Sequence, residues 1–128
     1  MRHQRNRLIE LEVWVQKRSN VLRTLLTNLI REGQIMTTLK RAKVLRAYAD
    51  HFFARLVGMS DKYDDKGFDR ESIRYIKSII RTESEGKKVS KDILPRLLSK
   101  DNRSWFVSIY KAWYRQWDGA EKVLVKIG

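Results

Sequence analysis

The stretch Val21-Leu22-Arg23-Thr24-Leu25-Leu26-Thr27-Asn28-Leu29-Ile30-Arg31-Glu32-Gly33-Gln34-Ile35-Met36-Thr37-Thr38-Leu39-Lys40-Arg41-Ala42-Lys43-Val44-Leu45-Arg46 changes rhythm twice. In its first part Val21, Leu22, Leu25, Leu26, Leu29 and Ile30 recur at the spacing that lines one side of an α-helix. This predicts a helix over residues 17–32 with that stripe in the core. Arg18, Arg23 and Arg31 lie off the centre of the stripe. Gly33 suits a helix end, because glycine takes a left-handed conformation without steric cost. Residues 34–37 then read as a short extended piece. Thr38 stands where a second helix would be capped, and that helix is expected to run to about Val57. Its core face would use Ala42, Leu45, Ala49, Phe52, Phe53 and Leu56, with Lys40, Lys43 and Arg46 gathered on a neighbouring flank.

Beyond this pair the pattern weakens. Residues 58–67 lack periodicity and carry Asp61, Asp64 and Asp65, so they read as a solvated connection. Asp69 is expected to cap a third helix to about Glu83, with Ile73, Ile76 and Ile80 inward and Arg74, Lys77 and Arg81 in a second basic row. Ser90 is expected to cap a short fourth helix through Leu98, where Pro95 either strains the helix or splits it. The tail turns to a two-residue rhythm. Trp105, Val107 and Ile109 alternate with Phe106, Ser108 and Tyr110, and Val123, Val125 and Ile127 with Lys122, Leu124 and Lys126, as in two strands of a hairpin closed around Trp117-Asp118-Gly119. The fold class expected is α+β: about four helices packed with a small sheet made of a short strand near residue 35 and a C-terminal β-hairpin. No repeat or linker divides the chain, so residues 1–128 read as a single domain with residues 1–16 as an N-terminal arm.

Composition narrows the function. The 128 residues include 28 Lys and Arg against 15 Asp and Glu, a net charge of +13. Residues 1–58 alone hold twelve basic and four acidic side chains. Such an excess repels itself in a compact domain and is relieved by a polyanion, with counterion release driving association, so nucleic acid is the leading partner. No apolar run nears the roughly 20 residues that a bilayer-spanning helix needs. The basic start at Arg2, His3, Arg5 and Arg7 leads into Leu8-Ile9-Glu10-Leu11-Glu12, whose carboxylates argue against a secretory signal. There is no cysteine, hence no disulfide or thiolate metal site.

An enzyme would need convergent reactive groups, and the sequence offers two histidines, no glycine-rich phosphate loop and no nucleophile elbow. His3 sits in a basic segment and suits a phosphate contact; His51, beside two phenylalanines, suits a helix surface or the core. Asp64, Asp65, Asp69 and Glu71 could be imagined as a metal-dependent nuclease, but cap and loop roles explain them more simply. No catalytic residue, metal ligand, cofactor or small-molecule substrate is therefore assigned. The competing reading is a free nucleic-acid-binding regulator using a helix-turn-helix. Against it stand the extended piece between the helices and the lack of a base-reading Asn or Gln at the start of the second.

The segment from Ile35 to Arg46 resembles the signature of the bacterial large-subunit ribosomal protein seventeen family. Met1-Arg2-His3 is similar to that family's opening, Arg18 to Ile30 follows its first helix, and Asp101-Asn102-Arg103, Arg115-Gln116-Trp117-Asp118-Gly119-Ala120 and the strand to Ile127 resemble its closing hairpin. The resemblance implies an α+β component of the large ribosomal subunit that binds its ribosomal RNA near the exit of the peptide tunnel, beside neighbouring ribosomal proteins. It places the protein on a cytoplasmic ribosome and leaves an organellar one open. Carried over by position, it assigns RNA contacts to Arg2, His3, Arg18, Arg23, Thr37, Thr38, Lys40, Lys43, Arg46, Arg103 and Arg115, and Arg5 joins them from the same basic start. Cationic side chains suit phosphates, and threonine hydroxyls at a helix start suit phosphate or ribose oxygens. The chain departs from the family pattern in its apolar residues 8–15, expected to pack on a neighbouring protein through Trp14, in Trp105-Phe106-Val107 at the start of the hairpin, and in Trp117 where the family has glycine. Trp105 is expected in the core.

Overall fold

A computed structural model describes residues 15–99, 106–114 and 121–127. Its first helix, α1 (Val15–Glu32), buries Leu22, Leu26, Leu29 and Ile30, the centre of the predicted stripe, and half-buries Val21 and Leu25. Gly33 ends it with φ of 79°. Its N–H donates to the Leu29 carbonyl at 2.8 Å, while its own carbonyl accepts from Ile127 N–H at 3.2 Å. One left-handed residue thus closes the helix and starts the sheet.

Strand β1 (Gln34–Thr38) passes directly into α2 (Leu39–Lys62). The tail supplies β2 (Val107–Tyr114) and β3 (Glu121–Ile127), and the sheet order is β1-β3-β2 with both pairings antiparallel. A bulge in β2 between Lys111 and Trp113 adds one residue to that strand. The residues of the expected turn, around Trp117-Asp118-Gly119, lie outside the described residues, as does Trp105. Because β1 lies hydrogen-bonded in a sheet between α1 and α2, the two helices lack the short joint of a helix-turn-helix.

Every predicted core residue of α2 is buried, together with Val44 and Val57. Phe52 and Phe53 are neighbours in sequence and so point about 100° apart around the helix. Phe53 meets Phe106 of the sheet side, with ring centroids 6.1 Å apart, and Phe52 stacks on Tyr75 of the next helix at 5.4 Å. The two rings also contact each other edge to face at 5.2 Å. Phe106 is fully buried although strand alternation put it on the opposite side from Val107. It precedes the strand, so the alternation does not bind it.

The middle of the chain departs most from expectation. α2 continues past Val57 to Lys62, carrying Gly58 inside it, because Val57 and Met59 still pack on the core. The expected ten-residue connection shrinks to Tyr63 and Asp64. Asp64, not Asp69, caps α3 (Asp65–Ile79), accepting from Gly67 N–H at 2.8 Å. A Cβ at Gly67 would lie 2.6 Å from that carboxylate oxygen, which accounts for the glycine. The inward line of α3 runs through Phe68, Ser72, Tyr75, Ile76 and Ile79; Ile73 is 42% exposed, contrary to the prediction. A small polar residue, Ser72, occupies the buried place and satisfies its hydroxyl on the Asp69 carbonyl at 3.1 Å.

The chain breaks at Ile80 and resumes as α4 (Glu83–Lys88), a wider π-helical segment (Val89–Ile93) and α5 (Leu94–Ser99). Thr82, not Ser90, stands at its start. Leu94 N–H bonds to the Val89 carbonyl five residues back. The widened turn just before Pro95 lets the helix carry a residue that lacks an N–H and crowds the carbonyl four residues back.

Asp50 joins helix to sheet. Its Oδ1 accepts from Val107 N–H at 3.1 Å, and the Phe106 N–H also bonds to it. Burial pushes its carboxyl upward, against the lowering effect of those bonds and of Arg46. Asp50→Ala is expected to cost about 1–3 kcal/mol by leaving these strand-entry N–H groups without an acceptor, and Asp50→Asn less. Urea unfolding of both variants checks this; equal losses would mean that the acceptor oxygen is not what matters.

Candidate nucleic-acid interface

The site grows from the passage of β1 into α2. Thr38 keeps extended geometry (φ −73°, ψ 156°), so the helix begins at Leu39 without a loop. Contrary to the expected cap, the Thr38 side chain makes no capping hydrogen bond, and the first turn holds no acidic residue. A helix start with its N–H groups uncapped by a side chain favours an anion. Lys40 and Arg41 project from that first turn and Lys43 from the next, all exposed; Arg46 is half-buried and feels the charge of Asp50 one turn on.

The structure therefore brings Thr38, Lys40, Lys43 and Arg46 together on one helix start. Thr37 goes elsewhere. Paired with Val123, it lies half-buried on the helix-covered face of the sheet, while Thr38, paired with Lys122, lies on the other. Arg23 is half-buried on α1, and its Nε is buried without a hydrogen-bond partner. Arg2, His3, Arg5, Arg103, Arg115 and the segment expected to pack through Trp14 lie outside the described residues, and Arg18 lies in the first turn of α1 outside the described side chains. His51 is on the exposed surface of α2. The Asp64, Asp65, Asp69 and Glu71 set forms no metal-holding group among the described residues; Asp64 is a cap and Glu71 faces Arg74 at 3.7 Å.

Sequence reasoning missed how the other cations are used. Arg31 donates from Nε to Glu85 at 2.7 Å, and Lys88 donates to the Arg31 carbonyl at 2.9 Å, so the end of α1 is fastened to α4. Arg81 reaches Asn20 of α1 at 2.6 Å, Lys87 pairs with Glu83 at 3.2 Å and Lys111 with Glu121 at 3.6 Å. Arg81 and Lys77, from the predicted second basic row, rim a groove of ≈ 640 Å³ floored by Ile73, Ile76 and Ile80. The Thr82-to-Glu85 spacing is that of a capping box and was a readable signal for this cluster.

Glu85 is buried yet ionised. The Thr82 hydroxyl, the Arg31 guanidinium and the Ser84 hydroxyl hold its carboxyl at about 2, below an ordinary 4.5. A carboxyl lowered by folding contributes stability that is present above the unfolded value and is lost as pH falls through the folded one. The unfolding free energy should thus decline between about pH 4.5 and pH 2, and Glu85→Gln should show a shallower decline across that window in urea titrations. Superimposable pH slopes for the two proteins would contradict a charged Glu85.

One helix wedged between a sheet and further helices, with its cationic start turned outward, defines a small basic α+β domain. The family model of ribosomal protein L17 matches residues 21–127 of it, and the chain belongs to that family. It is 31% identical to large ribosomal subunit protein bL17 of Moorella thermoacetica over 110 residues, covering 86% of this chain and 88% of the relative. The protein of the same name from Halothermothrix orenii is 29% identical over 110 residues, with 86% and 87% covered, and that from Nautilia profundicola 25% over 113 residues, with 87% and 85% covered.

Proposed function

We propose that this protein is a structural constituent of the large ribosomal subunit, bound to ribosomal RNA through the basic start of α2 and sited near the exit of the peptide tunnel among other large-subunit proteins. The reading rests most on one observation: exposed Lys40 and Lys43 flank a helix N-terminus that has neither an acidic residue nor a side-chain cap in its first turn. Family membership supports the particle and a non-enzymatic role, and the bacterial relatives support a cytoplasmic ribosome. The tunnel-exit position rests on the resemblance described above. Arg and Lys neutralise backbone phosphates and release counterions, the uncapped N–H groups and the Thr38 hydroxyl donate to one more anionic oxygen, and Arg2, His3, Arg5, Arg18, Arg103 and Arg115 extend the contact by family position. The major groove of A-form RNA is too deep and narrow for these side chains to read base edges, so the shape of the RNA is what is recognised.

With roughly 6–10 phosphate contacts, affinity for a large-subunit RNA fragment should fall steeply with salt. Replacing Lys40, Lys43 and Arg46 by Gln together should weaken binding and reduce the slope of log affinity against log salt by about 2–3, with the melting temperature little changed. An unaltered slope would move the contact to another surface. Co-sedimentation with large subunits at moderate salt separates this role from that of a free regulator.

A further inference from the structure

Among the described residues, no helix covers the second face of the three-stranded sheet. Register places Met36 of β1, Leu124 of β3 and Tyr110 of β2 side by side in one row. Met36 is 52% exposed, Tyr110 53%, and Leu124 is partly exposed. Side chains two apart on a strand share a face, so Lys122 and Lys126 stand on either side of Leu124, each about 7 Å along β3. In the neighbouring rows Lys126 pairs with Gln34 and Ser108, and Lys122 with Thr38 and, past the bulge, Trp113. Among the described residues this face carries no carboxylate.

An exposed aromatic ring in an apolar row about 10 Å wide, with an ammonium group above and below, matches what an unpaired nucleotide requires: a flat apolar surface for the base and cations for the phosphates on each side. A protein segment would find the apolar row but also two lysines with no acid beside them. The face also adjoins the basic helix start, because Thr38 belongs to both. We infer that the open face of the sheet is a stacking platform for an unpaired RNA base, with Tyr110 under the base, Met36 and Leu124 as its floor, and Lys122 and Lys126 on the adjacent phosphates. The inference rests on the RNA-binding reading and adds to it a surface that distinguishes single-stranded from helical RNA.

Stacking and phosphate contact respond differently to salt, which gives the test. The full chain is titrated with a large-subunit ribosomal RNA fragment across a salt series. Tyr110→Ala should lose about 5- to 150-fold in affinity at every salt concentration with the slope unchanged, and Tyr110→Phe should stay within about twofold of the original. Lys122→Gln with Lys126→Gln should instead flatten the slope by about 1–2. If Tyr110→Ala destabilises the sheet, Tyr110→Thr, which keeps strand propensity, should show the same loss. Wild-type affinity in Tyr110→Ala and Tyr110→Thr, alongside weakened binding by the Lys40, Lys43 and Arg46 variant, overturns the platform and leaves the main reading intact. An original chain that ignores RNA altogether overturns both. A photoreactive residue at position 110 should crosslink to RNA in assembled large subunits; crosslinking to a protein alone overturns the platform in favour of a protein partner.

Discussion

Two adjacent phenylalanines on one helix hold the molecule together. Because Phe52 and Phe53 diverge around α2, one ring is committed to Tyr75 of α3 and the other to Phe106 at the head of β2. The helix cannot rotate to improve one contact without losing the other. Asp50, one turn earlier, reinforces the sheet side by accepting the N–H of Val107. With that rotation set, Ala42, Leu45 and Ala49 must face inward and Lys40 and Lys43 outward. The orientation of the basic helix start is thus a consequence of core packing at the other end of the same helix.

A net charge of +13 opposes compaction, and several of the described acids pair with cations, some between elements and some within one helix. Glu85 takes Arg31 where α1 ends, Glu83 takes Lys87 and Glu121 takes Lys111. No acid falls in the first turn of α2. The β1–α2 passage is thus rich in cations, an arrangement suited to a partner that brings negative charge of its own.

Membership in the ribosomal protein L17 family fits this build. Residues near the start of the closing hairpin include Phe106, which is buried, and Tyr110, which is not. The same local enrichment in aromatics thus serves the core at one position and the surface at another.

Much of this was legible in the chain itself. Helical spacing from Val21 to Ile30, the break at Gly33, the core of α2 and the alternation at 107–110 and 122–127 all repeat a short local pattern, and backbone geometry alone turns such a pattern into an element with a defined inner face. The grouping of Lys40, Lys43 and Arg46 followed for the same reason, since they lie on one helix. Tertiary structure decided the rest. Helix α2 runs through Gly58 because Val57 and Met59 find partners from elsewhere in the chain. Ile73 is exposed and Ser72 buried because Phe68, Tyr75 and Ile76 together set the rotation of α3. Thr37 and Thr38, identical in sequence, part to opposite faces of the sheet. The pairing of Arg31 with Glu85 and the row of Met36, Leu124 and Tyr110 join residues far apart in the chain, and only the packing of distant segments, which no local spacing encodes, could bring them together.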